Sequence, residues 1–159
     1  MPAMTNLLVK DDANPLVEMT FVPITDTPEP FWRTQIASIP FEGQMRLTQS
    51  VIKQKNGGYK ITAKLEVPVM ETLGASGTSY GYVAPAKVAY VTTAILSVFA
   101  DKRSTIADRA NTLKLMLGLI AGATSTTATG TMNGASAADV YKNSNAAFPL
   151  LFTSLVLAS

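Results

Sequence analysis

A chain of 159 residues is long enough to bury one core and points to a single domain. Its net charge of +2 is too small to argue a nucleic-acid partner from charge alone, and 15% charged against 47% hydrophobic residues implies a surface largely covered by other subunits. The absence of Cys and His excludes disulfides, thiolate chemistry and His-based triads, and argues against zinc sites.

From Met4 to Val69 the pattern repeats every two residues. Residues 7–10 and 16–23 flank the turn-rich Asp11-Asp12-Ala13-Asn14-Pro15 and predict a first hairpin. Asp11 and Asp12 read as a solvated turn pair rather than a cation site. Phe31 to Ile39, after Pro28-Glu29-Pro30, predicts a third strand in which Trp32 reads as core. Gln44 to Lys53 and Tyr59 to Val69 predict a fourth and fifth strand around the turn Gln54-Lys55-Asn56-Gly57-Gly58.

Alternation splits that second hairpin into two faces. Met45, Leu47, Val51, Ile61, Ala63, Leu65, Val67 and Val69 form the apolar one. Arg46, Thr48, Ser50, Lys60, Thr62, Lys64 and Glu66 form the other, whose hydroxyls and cations suit phosphate, although a merely solvated face has the same pattern.

Residues 70–85 form a glycine-rich connection with Gly74, Gly77 and Gly81, followed by Pro85. It is not a phosphate loop, since no Lys-Ser or Lys-Thr follows. Val88 to Phe99 is a sixth, β-branched strand, so the strands form an antiparallel meander. A one-residue slip there would exchange its faces and turn Tyr90 toward the core.

After Asp101 the period becomes helical. Thr105 with Asp108 can cap a helix over 104–121, in which Leu113, Leu115, Met116, Leu117, Leu119 and Ile120 leave hardly any polar side. Such a helix needs cover from more than one sheet, which a second subunit supplies. A Thr, Ser and Gly-rich run separates it from a second helix over 136–148, and 149–159 is an apolar tail too short to cross a bilayer. The start of the chain lacks the pattern of a secretory signal. No acidic pair falls on one face at a catalytic spacing, so an enzyme is not expected.

Met45-Arg46-Leu47-Thr48-Gln49-Ser50-Val51, the run ending Lys64-Leu65-Glu66-Val67-Pro68, the glycine-rich loop, Ala89-Tyr90-Val91-Thr92 and Phe99 to Arg109 together resemble the coat protein of the small single-stranded RNA bacteriophages, the leviviruses. The resemblance covers residues 4–121 in order and spacing.

It implies an α+β fold with an N-terminal β-hairpin, a five-stranded antiparallel sheet and two C-terminal helices, interlocked as a homodimer. Dimers would close into an icosahedral shell around single-stranded viral RNA, assembled in the host bacterial cytoplasm. The polar sheet face would point inward and bind an RNA hairpin that represses replicase translation. By the same resemblance Arg46 and Lys64 contact phosphate, Thr48, Ser50 and Thr62 surround unpaired bases, and Glu66 is an acidic position on the same strand. Tyr90 stacks a base and Thr92 contacts nucleotide. Gly74, Gly77, Gly81 and Pro85 lie in the loop around the shell axes, and Leu113, Met116, Leu117 and Ile120 lie in the dimer core. No cofactor, metal, membrane or small-molecule substrate is implied. A dimeric single-stranded nucleic-acid-binding module that does not assemble is the alternative.

Overall fold

A computed structural model describes residues 4–71 and 86–121. Six strands follow in order: β1 Leu7–Lys10, β2 Glu18–Thr25, β3 Phe31–Thr34, β4 Arg46–Lys53, β5 Tyr59–Met70 and β6 Val88–Ala100. A 3-10 turn, Phe41–Gly43, lies between β3 and β4, and one helix, α1 Ile106–Ile120, follows β6. The expected second helix over 136–148, the tail over 149–159 and the loop positions Gly74, Gly77, Gly81 and Pro85 lie outside the described residues.

The described residues fall into two compact units, one of 4–8, 20–71 and 86–102, the other of 9–19 and 103–121. The strands pair in chain order, β1-β2-β3-β4-β5-β6. The expected N-terminal hairpin is thus joined to the sheet through antiparallel β2–β3 pairing, with a register shift between Pro23 and Thr25.

The β4–β5 hairpin follows from its turn. Gln54 N–H donates to Gly58 O at 2.8 Å and Gly57 N–H to Gln54 O at 2.9 Å. Gly57 sits at φ +81°, where a side chain is strained. A Cβ on Gly58 would come within 2.8 Å of Ala100 O, so glycine lets the turn lie against the end of β6.

β3 ends at Thr34 instead of the expected Ile39, because the Gln44 side chain captures the backbone beyond it. Its Oε1 accepts from Thr34 Oγ1 and Ile36 N, both at 3.0 Å, and its Nε2 donates to Ile36 O at 2.9 Å and Ile39 O at 2.6 Å. Thr34 Oγ1 in turn accepts from Met45 N at 2.9 Å. Local side-chain bonds of this kind compete with a sheet ladder and replace it here with a fixed loop. Gly43 belongs to that packing, since a Cβ there would meet Met70 Sδ at 2.4 Å and Ile39 Cγ2 at 2.7 Å.

Phe21, Trp32 and Ala100 are buried in the sheet unit, with the polar Thr34 and Gln44. Trp32 is core, as expected, and its Nε1 donates to Thr5 O at 3.0 Å. In the first turn Asp11 Oδ1 accepts from Ala13 N at 3.2 Å and Val17 N at 2.8 Å, which gives that carboxylate a turn-closing role.

In the other unit, α1 starts at the expected capping box. Thr105 Oγ1 accepts from Asp108 N at 3.2 Å, while Asp108 Oδ2 accepts from Thr105 N and Thr105 Oγ1, each at 2.9 Å. The backbone and hydroxyl bonds from Thr105, helped by the nearby Arg109, hold the Asp108 carboxyl below its ordinary value. No residue of α1 is buried within the single chain.

Candidate nucleic-acid interface

Residues directly opposite across paired strands share a face, so the register decides what the site contains. β4 and β5 set Arg46 opposite Glu66, Thr48 opposite Lys64, Ser50 opposite Thr62 and Ile52 opposite Lys60. These six polar positions, Arg46, Thr48, Ser50, Thr62, Lys64 and Glu66, therefore stand together on one face, all half-buried. Lys64 Nζ pairs with Glu66 Oε1 at 2.7 Å. Both side chains are partly exposed, at 39% and 28%, so this pair contributes little to stability and instead holds the ammonium in place.

β6 brings a different set than the sequence suggests. Pro68 pairs with Val91, Glu66 with Thr93, Lys64 with Ile95, Thr62 with Ser97 and Lys60 with Phe99. The polar face thus gains Thr93 and Ser97, and Ser97 Oγ lies 3.4 Å from Thr62 Oγ1. Tyr90 pairs with Val69 and Thr92 with Val67, which puts both on the apolar face with Leu65. Their assignment to the polar face is corrected: the register runs unbroken from Tyr59↔Ala100 to Val69↔Tyr90, and its irregularity comes only beyond, at Met70. Tyr90 is 61% exposed on that opposite face in the single chain.

β3 and the 3-10 turn extend the polar face. Arg33 pairs with Arg46 and Phe31 with Thr48. The Phe41 ring lies under both guanidinium groups, with Arg33 Cζ 4.2 Å and Arg46 Cζ 5.6 Å from its centroid. Among the described residues neither guanidinium is paired with a carboxylate, and Arg33 Nε is shielded from solvent with no hydrogen-bond partner. At another point on the face Lys60 Nζ lies 5.9 Å from the Phe99 ring centroid.

Hydroxyls, cations and exposed aromatic rings on one sheet surface can bind phosphate and unstacked bases. No group of three or more metal-ligating side chains is present among the described residues.

The profile of the levivirus coat protein family matches residues 2–145. The chain belongs to the levivirus coat protein family. This coat protein is 35% identical over 122 residues to the capsid protein of Pseudomonas phage PRR1, covering 76% of this chain and 84% of that one. The virus-like particle of bacteriophage EMS014 is similar across nearly the whole subunit, at 42% identity and a TM-score of 0.88, covering 99% of this chain and 100% of that one. The capsid protein of bacteriophage GA shares the fold at 20% identity and a TM-score of 0.57, covering 73% of this chain and 84% of that one.

Proposed function

We propose that this coat protein dimerises, closes into a shell and holds single-stranded RNA against its polar sheet face, which points inward. The observation that carries this reading is the in-register set Arg46, Thr48, Ser50, Thr62 and Lys64, joined by Thr93, Ser97 and Arg33.

Dimerisation is supported by surface that a lone chain leaves uncovered. Among the described residues β6 is an edge strand, 13 residues long, and a long edge invites pairing with another chain. On the apolar face Val51 is 68% exposed, and α1 presents Leu113, Leu115, Met116 and Leu119 to solvent. Pairing of β6 edges, with each α1 covered by the partner through Leu113, Met116, Leu117 and Ile120, would remove both liabilities. Shell formation is supported by the likeness to the EMS014 particle subunit.

Phosphate contacts from Arg46 and Lys64 give affinity and salt dependence, and the hydroxyls give places for ribose and base edges. Binding a hairpin at the replicase start would repress its translation, and the virion assembles where that RNA is made, in the host cytoplasm.

The test is expression of the full chain in bacteria, followed by size-exclusion chromatography with absorbance at two ultraviolet wavelengths and electron microscopy. Closed particles rich in nucleic acid are expected, and Lys64→Ala should lower their RNA content while dimers persist. A small RNA-free dimer would contradict shell formation and favour a binding module that does not assemble.

A further inference from the structure

We infer that Phe41, flanked by Arg33 and Arg46, is a stacking platform for an unpaired RNA base, with phosphate held by the two guanidinium groups. The inference rests on the reading that the polar sheet face binds RNA.

Four observations converge on this site. Phe41 is 58% exposed although its ring lies beneath two cations, so much of its surface is open to a ligand. Arg33 and Arg46 are direct cross-strand neighbours of like charge, a pairing that repels unless an anion or a π-face intervenes. Neither has an acidic partner among the described residues, in contrast to Lys64, which pairs with Glu66. Beside the ring lies a depression of about 240 Å³ lined by Arg33, Gln35, Phe41 and Gln44 among others.

That depression is below the range of roughly 300–1,000 Å³ that holds drug-sized ligands and suits a single planar ring system. The amide of Gln44 is committed to Thr34, Ile36 and Ile39, which leaves Gln35 to meet a base edge and makes Gln44 the anchor of the loop. A base stacked on Phe41 would place its own phosphates near two unneutralised guanidinium groups, the combination by which single-stranded nucleic acid is bound. Tyr90, on the opposite face, cannot supply that stack to RNA on this surface.

The test uses the full chain as soluble subunits freed of RNA, with a short single-stranded oligoadenylate carrying 2-aminopurine and a duplex RNA of the same length. Phe41→Leu, which keeps apolar bulk and loses the π-face, should weaken oligoadenylate binding about 5- to 150-fold and relieve 2-aminopurine quenching. Its salt slope should equal that of the unaltered protein, since no cation is removed. Phe41→Tyr should restore both affinity and quenching, and duplex binding should be unchanged in either variant. Lys64→Ala is the control for the underlying reading and should flatten the salt slope. If Lys64→Ala weakens binding while Phe41→Leu does not, the stacking platform is refuted and the RNA face stands. If the unaltered protein binds neither RNA, the RNA face itself is refuted.

Discussion

Replacing Gln44 by Met keeps an unbranched side chain of similar length and deletes four hydrogen bonds at once. Three of the partner groups lose their only such contact: the Thr34 hydroxyl loses its acceptor, Ile36 N–H its acceptor and Ile39 C=O its donor. Ile36 C=O keeps the Ile39 N–H at 3.0 Å. At about 0.5–1.5 kcal/mol net for each of four bonds the loss spans about 2–6 kcal/mol. Ile36 and Ile39 are only half-buried, so water recovers part of it and the expected cost falls in the lower half, about 2–4 kcal/mol. That is a large share of an ordinary domain stability of about 5–15 kcal/mol. Urea denaturation followed by Trp32 fluorescence and circular dichroism measures it, at matched protein concentration because association adds to apparent stability. Gln44→Glu sharpens the test. An ionised carboxylate would face the Ile36 and Ile39 carbonyl oxygens, which raises its folded pKa, so this variant should be most stable at low pH and lose stability as pH rises. A cost for Gln44→Met within about 0.5 kcal/mol, the range of neutral surface changes, would refute the anchoring role.

Tyr90→Ala should change RNA affinity less than about twofold, against the loss of a full stack worth about 1–3 kcal/mol if its ring met a base; filter binding distinguishes them, and a large loss would mean that β6 is slipped by one residue. Met116→Glu puts a charge on the uncovered side of α1 and should leave chains that neither dimerise nor assemble, read by sedimentation velocity, whereas intact dimers would show that this side of α1 lies outside the interface. Thr105→Ala should cost about 1 kcal/mol through loss of the cap, measured by thermal denaturation. Because the Asp108 carboxyl is held below its ordinary 3.8, its contribution is present above that value and lost as pH falls through the lowered one. Asp108→Asn should therefore flatten the acid limb of the stability profile, and an unchanged limb would contradict the capping box.

The second hairpin was legible because its turn chemistry and its alternation agree: Asn56-Gly57-Gly58 closes two strands whose parity separates Lys64 from Leu65 without ambiguity. The α1 start was legible because Thr105 and Asp108 satisfy each other locally. β6 was not, since Ala89, Val91, Ile95 and Phe99 on one parity are as apolar as Tyr90, Leu96 and Val98 on the other. Its register is instead set at the far end, where Gly58 admits the Ala100 carbonyl and Tyr59 pairs with Ala100. The Phe41 cluster was missed for a related reason. Period-two alternation runs on through Ile39, and only the reach of Gln44 across the chain turns 35–43 out of the sheet and sets an aromatic ring against Arg33 and Arg46. The parity of Arg33 with Arg46, once β3 was paired with β4, is the signal that could have found it. Val51 was expected in a core and is exposed in the single chain, which fits an apolar face completed by a second copy.

In the proposed shell the polar sheet face is the side that meets RNA. Electron cryomicroscopy of particles purified from bacteria expressing the full chain would show which face that is. Arg46, Thr48, Ser50, Thr62 and Lys64 are expected on the inner surface with nucleic-acid density against them; a shell with that face outward, or with RNA density against Tyr90 and Thr92 instead, would overturn that placement.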